Sequence, residues 1–154
     1  MMIHVLLAVD ANQVIGCAVS MRSILEHAAP PALLHFHVMT HQVPPRDREA
    51  LRATIESAGR GARIDLHEVD VSRFTHLMRS KLVSHTTYAR LLIDDVLSAD
   101  VERCIYVDCD MVVTRDITEA FRFPLDGRTA AAVANGSVSD TRDNQARLGL
   151  REPR

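Results

Sequence analysis

The strongest chemical signal in the sequence is a pair of aspartates within an apolar segment. Asp108 and Asp110 are separated by one residue, and their neighbours over 105–113 are mostly apolar. A buried carboxylate is costly unless its charge is compensated, and two carboxylates this close repel each other. A divalent cation removes both costs, since Mg²⁺ and Mn²⁺ prefer carboxylate oxygens and keep positions open for phosphates. The pair is a candidate metal site, and the alternative is a strand end that turns into a solvated loop.

Two further segments carry polar residues that could bind a ligand. Asp10 and Asn12 follow the first apolar run and could hydrogen-bond a base or a ribose. Alternatively, Asn12 caps the next helix and Asp10 is a turn residue. Arg90 lies between apolar neighbours in a predicted helix, where its planar guanidinium suits a phosphate or a carboxylate. From spacing alone, a surface arginine whose stem covers apolar neighbours is the simpler interpretation.

The histidines and cysteines give weaker signals. His35 and His37 alternate in a predicted strand and therefore share a face. They could form a metal pair, but an amphipathic strand beside solvent is the simpler interpretation. The chain has 3 cysteines without a CxxC pair, which argues against a disulfide framework.

Apolar runs and helical spacing alternate along the chain. Strands are predicted at 3–9, 33–39, 63–69, 103–107 and 129–134. Helices are predicted at about 14–28, 45–58 and 86–97, with a weak signal at 140–148. This alternation predicts an α/β fold with a mostly parallel sheet and helices on both faces. Ligands bind such sheets at the carboxyl ends of the strands. The polar residues at those ends are Asp10, Asp108, Asp110 and Asn135.

Composition restricts the class of protein. With 154 residues, 47% of them hydrophobic, the chain is expected to form a single domain over 1–154 with a sizeable core. The 18 Lys+Arg against 20 Asp+Glu provide no basic surface for nucleic acid. No apolar run approaches the roughly 20 residues of a membrane helix, and the start lacks a signal-peptide pattern. We therefore expect no transmembrane segment and a cytoplasmic protein, either free or peripheral at the membrane.

Three segments, taken together, resemble one enzyme family. They are VLLAVDAN at 5–12, TTYARLLI at 86–93 and IYVDCDMVV at 105–113. Their order and spacing resemble glycosyltransferase family 8, a group of retaining, metal-dependent enzymes that includes lipopolysaccharide galactosyl- and glucosyltransferases and the glycogenins. The similarity runs from Ile3 to Gly149. It implies the nucleotide-sugar-binding α/β fold called GT-A.

The resemblance also implies roles for individual residues. The nucleotide side of the site would consist of Ala8, Asp10, Asn12, Arg90 and Asp108. Ala8, Asp10 and Asn12 would line the uridine pocket, and Arg90 would face the donor sugar and the diphosphate. Asp108 and Asp110 would hold Mn²⁺ or Mg²⁺ against the phosphates of UDP. No residue of this chain is assigned as a covalent nucleophile.

The implied activity is retaining transfer of a hexose from a UDP-sugar to a glycan or a lipid-linked, lipopolysaccharide-type acceptor. Members are longer and continue into a Phe-Asn-x-Gly segment and a distal histidine that completes the metal site. We therefore expect this chain to carry the donor-binding half, to be inactive alone, and to self-associate through uncovered sheet surface. Where the family usually has an aromatic residue after Asn12, this chain has Gln13.

Two other functions are consistent with the same residues. One is a non-catalytic nucleotide-binding fragment or pseudoenzyme. The other is a phosphoacceptor receiver domain, which also clusters aspartates at strand ends. The receiver interpretation is weaker, because Lys81 is the only lysine and precedes Asp108, whereas a receiver needs a lysine downstream.

Overall fold

The computed structural model describes residues 1–77 and 85–133 of the chain. Contacts divide the chain into two compact units, Met1–Phe123 and Pro124–Arg154. All helices and strands of the described residues lie in the first unit. In the second unit, residues 124–133 include a turn in which Asp126 and Gly127 have left-handed backbone (φ 49° and 76°). The single domain over 1–154 stays a prediction.

Strands and helices alternate through the first unit. In chain order they are β1 (Met2–Asp10), α1 (Val14–His27), β2 (Leu33–His41), α2 (Pro45–Glu56), β3 (Arg63–Glu68), a first 3₁₀ helix (Ser72–Phe74), a second 3₁₀ helix (His85–Leu92), α3 (Ile93–Val96), β4 (Cys104–Tyr106) and α4 (Ile117–Phe121). Pro45 opens α2, where a missing N–H costs nothing. Gly59 follows the end of α2 with a left-handed φ of 63°, which glycine adopts without strain.

The four strands form one parallel sheet in the order β3-β2-β1-β4. The chain first builds the sheet outwards from β1 through β2 to β3. It then crosses back and adds β4 on the other side of β1. The order of strands therefore reverses between β1 and β4, which is where open α/β sheets bind their ligands.

Both faces of the sheet are covered, as predicted. Odd-numbered residues of β1 pack against α1 and α2, with Phe36 of β2 fully buried among them. On the opposite face, Leu6 and Ala8 pack against Ala89 and Leu92 of the second 3₁₀ helix. The predicted α/β fold with a mostly parallel sheet is confirmed. Among the described residues, no helix has both the length and the apolar character needed to cross a lipid bilayer.

Two predicted elements differ from the structure. The helix predicted at 86–97 is a 3₁₀ helix followed by the short α3, and the side chain of Thr86 in it bonds to Asp10 of β1. A tertiary contact has overridden a weak helical preference there. The strand predicted at 129–134 is wrong over 129–133, where no strand forms and Val133 is 97% exposed. Asn135 and the predicted helix at 140–148 lie outside the described residues.

The segment after β4 leaves the sheet and lies along α1. The carbonyl oxygen of Cys109 would be 2.8 Å from a Cβ placed on Gly16, so only glycine fits this approach. Further along α1, the hydroxyl of Ser20 donates to the carbonyl of Met111 (2.6 Å). The hydroxyl of Ser23 then accepts from the backbone N–H of Val113 (2.9 Å). Helix α1 thus fixes the path of the segment that carries Asp108 and Asp110.

We predict that Gly16→Ala destabilises the protein by about 1–2 kcal/mol. The added methyl group meets backbone rather than a flexible side chain, so overpacking of about 1–3 kcal/mol outweighs a gain of roughly 0.5–1 kcal/mol in helix propensity. Urea denaturation followed by circular dichroism measures the difference. The control is Ile15→Ala, which changes the adjacent position of α1, where the side chain is 81% exposed. A Gly16→Ala protein more stable than wild type would contradict the prediction.

Candidate functional site

The candidate site lies where β1 and β4 end side by side. Asp10 is the last residue of β1, and Asp108 follows β4 by two residues. The backbone N–H of Val107 donates to the carbonyl of Leu6 (2.9 Å), which continues the pairing of the two strands almost to Asp108. Since the strands are parallel, both carboxylates emerge at the same edge of the sheet.

The carboxylate of Asp10 connects three parts of this edge. Its Oδ1 accepts from the backbone N–H of Asn12 (2.9 Å), and its Oδ2 accepts from the hydroxyl of Thr86 (3.4 Å). Asp10 thereby fixes the turn into α1 and contacts the second 3₁₀ helix. The alternative in which Asn12 caps α1 is wrong, because the residue at the cap position is Gln13 and it makes no side-chain cap bond. Asn12 is exposed, and Ala8 lies two residues before Asp10, buried against the second 3₁₀ helix.

Arg90 is held in a defined orientation over the end of β4. Its Nη2 donates to Oδ1 of Asp108 (2.8 Å), and its Nε donates to the carbonyl of Thr87 (2.9 Å). The guanidinium carbon lies 4.6 Å from the centre of the Tyr106 ring, a cation–π distance. Arg90 is thus a half-exposed arginine whose guanidinium contacts Asp108, Thr87 and Tyr106.

The ion pair between Arg90 and Asp108 contributes little to stability. The two side chains are 40% and 50% exposed, and ion pairs at such positions stabilise a fold by about 0–1 kcal/mol. A guanidinium has five N–H donors, and the hydrogen bonds of Arg90 to other described residues use two of them. The arrangement orients a cation beside the carboxylate of Asp108.

Tyr106 interacts with both members of the Arg90–Asp108 pair. Burial raises the pKa of Tyr106 to about 12, against the opposing effect of the Arg90 cation. The phenol therefore keeps its proton at neutral pH. The face of the Tyr106 ring lies beneath the guanidinium, and the phenol hydroxyl hydrogen-bonds Asp108.

The negative charges of three aspartates act on the thiol of Cys109. Burial, and then the negative charges of Asp110, Asp108 and Asp10, raise the pKa of this thiol to about 11. The thiol contacts Oε1 of Gln13 at the start of α1. Because all three aspartates act on one buried sulfur, they concentrate negative charge at one end of the β1–β4 pair.

Asp108 and Asp110 fit a hard divalent cation that takes part of its coordination from elsewhere. Both aspartates are exposed and follow the end of β4, so the expectation of buried carboxylates within a strand is wrong and the local geometry is that of a strand end turning into a solvated loop. Their oxygens are nevertheless the ligands that Mg²⁺ and Mn²⁺ prefer. Within residues 1–77 and 85–133, neither belongs to a group of three or more metal-ligating side chains. A cation on this pair would therefore keep positions for phosphate oxygens and water.

The sequence did not indicate that Tyr106, Thr86 and Gln13 contribute to this edge of the sheet. Tyr106 is the last residue of β4 and Asp108 follows it by two residues, so the alternation of an extended chain was the available signal. Thr86 and Gln13 gave no signal, since their contacts span 76 and 96 residues of sequence.

A cavity of about 660 Å³ lies elsewhere, on the outer side of α1 and α2, among residues such as Val14, Ala18 and Leu51. It contains none of the predicted site residues.

Comparison with known proteins places these features in a family. The sequence profile of glycosyl transferase family 8 matches residues 4–153. Lipopolysaccharide 1,3-galactosyltransferase of Salmonella typhimurium is 30% identical over 131 residues, covering 84% of this chain and 38% of that protein. "Probable galacturonosyltransferase-like 4" of Arabidopsis thaliana is 28% identical over 134 residues, covering 84% of this chain and 37% of that protein.

The fold matches solved structures over the same region. The crystal structure of the galactosyltransferase LgtC in complex with donor and acceptor sugar analogs has a TM-score of 0.71 and 27% identity, covering 80% of this chain and 43% of that chain. An active-site mutant of LgtC gives a TM-score of 0.72 at 26% identity. This chain thus spans between 37% and 43% of the length of these relatives.

The sheet and its helices form the GT-A nucleotide-sugar-binding fold. Because the family profile extends over nearly all of its residues, this chain belongs to glycosyltransferase family 8.

Proposed function

We propose that this chain supplies the donor side of a retaining hexose transferase that uses a UDP-sugar and Mn²⁺ or Mg²⁺. The acceptor would be a glycan or a lipid-linked saccharide of lipopolysaccharide type. The observation that carries the proposal is the meeting of Asp10, Arg90 and Asp108 at the reversal point between β1 and β4. Sugar transfer is also the activity named for the relatives in Salmonella typhimurium and for LgtC.

The nucleoside would lie against the end of β1. Each oxygen of the Asp10 carboxylate has one described partner and a second lone pair for a ribose hydroxyl or a base N–H. Asn12 is exposed beside it and offers amide donors and an acceptor. The small side chain of Ala8 completes this end of the strand.

The diphosphate would lie against the end of β4. Asp108 and Asp110 would hold the cation, which supplies charge stabilisation to the departing diphosphate when it is bound. Arg90 would contribute a second positive charge beside Asp108. Its Nη2 currently pairs with Asp108, and transfer of that donor to a phosphate oxygen would free the carboxylate for the cation.

We expect UDP binding to require both the cation and Asp110. Isothermal titration of UDP into the wild-type chain with Mn²⁺ should give saturable binding. The affinity should fall at least about tenfold when Mn²⁺ is omitted or when Asp110→Asn removes one ligand without changing the size of the side chain.

The matched control is Asp95→Asn, which removes an exposed carboxylate that pairs with Arg73. Its affinity for UDP should equal that of wild type. Equal affinities for wild type and Asp110→Asn, with and without Mn²⁺, would exclude the metal role of this pair.

We expect Arg90→Gln to weaken UDP binding with little effect on folding. Loss of a charge-assisted hydrogen bond to phosphate should lower the affinity about tenfold or more in the presence of Mn²⁺. The free energy of unfolding should change by less than about 1 kcal/mol, since the ion pair with Asp108 is largely exposed. Titration calorimetry and urea denaturation of the same preparation measure the two quantities.

Arg73→Gln is the matched control for this variant. It breaks another exposed arginine–aspartate pair, to Asp95 at 2.8 Å, with side chains that are 57% and 64% exposed. If Arg73→Gln and Arg90→Gln weakened UDP binding equally, the effect would come from net charge alone, and Arg90 would have no specific role.

A further inference from the structure

Four histidines lie together on one face of the sheet, far from the aspartates. We call His4, His35, His37 and His67 the histidine cluster. The parallel register sets His4 opposite His35 on β1 and β2, and sets His37 beside Asp65 of β3. His4 precedes Asp10 by six residues of the same strand, which is about 20 Å of extended chain. The cluster therefore shares no residue with the proposed UDP site.

The ring nitrogens of the cluster approach one another closely. Nδ1 of His4 lies 3.0 Å from Nε2 of His37, and the other nitrogen of His37 lies 3.3 Å from Nε2 of His67. The rings of His35 and His37 are 4.1 Å apart. In the group His4, His35 and His37, the potential ligand atoms all lie within 4.8 Å of one another.

A carboxylate orients one of these rings from outside the group. Nε2 of His35 contacts Oδ2 of Asp65 (2.7 Å), so the other ring nitrogen of His35 is the one left for a ligand. A histidine held by a carboxylate in this way is a recurrent arrangement around bound zinc, because the carboxylate fixes the tautomer and increases the basicity of the ligand.

Burial lowers the pKa of three of the four imidazoles, those of His4, His37 and His67. Burial and the neighbouring imidazoles lower the pKa of His37 to about 4, although Asp65 acts in the opposite direction. Burial also lowers the pKa values of His4 and His67. Neutral imidazoles offer lone pairs, and lone pairs are what a metal ion takes.

We propose that His4, His35 and His37 bind a transition-metal cation of the zinc type, with Asp65 orienting His35. Imidazole nitrogen suits Zn²⁺, Co²⁺, Ni²⁺ and Cu²⁺, whereas Mg²⁺ and Mn²⁺ prefer oxygen. Zinc–nitrogen bonds are about 2.0–2.1 Å long, so nitrogens 3.0 Å apart already approach the separation of two ligands on one ion. Three histidines leave the fourth tetrahedral position to water.

A second group is the competitor for the same ion. His37, Asp65 and His67 also place three ligand atoms within 4.8 Å of one another. It shares His37 with the proposed site but uses Asp65 as a ligand rather than only as the partner that orients His35. The favoured site uses one ring nitrogen from each of three histidines. The two arrangements differ in their dependence on His4 and His67.

The test is titration of the complete chain with Co²⁺, followed by visible absorption. Wild type should bind one Co²⁺ with the intense bands of tetrahedral nitrogen coordination, and Zn²⁺ should displace it. The bands should persist in an Asp108→Asn/Asp110→Asn protein and with His27→Ala, which removes an exposed histidine of α1. They should be lost, or the affinity lowered at least about tenfold, in His4→Ala and His35→Ala.

If His4→Ala or His35→Ala fails to fold, two further variants still test the proposal. Asp65→Asn should retain tetrahedral bands with an affinity lower by about 10–100-fold, which is the effect of losing an orienting partner. His67→Ala should bind as wild type does. Absence of tetrahedral bands in the wild-type protein would overturn the proposal, and so would binding that depends on His67 and not on His4.

Discussion

Strand β1 determines where the other parts of the first unit can lie. It is the central strand between β2 and β4, and its residues 5–9 are buried on both faces. A strand that is buried on both faces is typically a near-continuous apolar run, and in β1 the carboxylate of Asp10 stands at the end of that run. To add β4 beside β1, the chain has to return from β3 across the face of the sheet. That crossing brings the second 3₁₀ helix over β1, and with it Thr86 and Arg90 arrive at the end where Asp10 emerges.

The position of the second strand end depends on a helix that has no chemical group in the proposed reaction. One stripe of α1 carries three small residues at spacings of four and three, namely Gly16, Ser20 and Ser23. Each of them lies against the backbone of the segment that follows β4. Small side chains on that stripe let the segment approach the helix axis closely. The direction in which Asp108 and Asp110 leave the sheet is therefore specified on α1 as much as on β4.

The sequence predicted those helices and strands whose structure depends on their own residues rather than on contacts with distant segments. The strands at 3–9 and 33–39 were predictable because both segments are mostly apolar and short. Pro45 marked the first residue of α2, whereas the predicted end at 58 lies two residues beyond Glu56. The second 3₁₀ helix was not predictable from the sequence. Eight residues are too few to distinguish a pattern of 3.0 residues per turn from one of 3.6, and the contact from Thr86 to Asp10 depends on the tertiary structure.

Register explains the remaining gap between sequence and structure. The alternation of His35 and His37 predicted a shared face, but only the pairing of β2 with its two neighbours adds His4 and His67 to that face. In the same way, the position of Asp108 at a strand end could be predicted from the sequence, but its contact with Arg90 could not.

The winding of the second 3₁₀ helix sets the direction of the Arg90 guanidinium. With about 3.0 residues per turn, residues three apart are eclipsed along the axis, and Nε of Arg90 bonds to the carbonyl of Thr87, three residues earlier. In an α-helix of 3.6 residues per turn, the same two positions would differ by roughly 60° around the axis. If this segment were an α-helix instead of a 3₁₀ helix, the backbone would direct the Arg90 side chain away from Asp108 and from the ring of Tyr106. The type of helix therefore determines the direction in which the Arg90 side chain leaves the backbone.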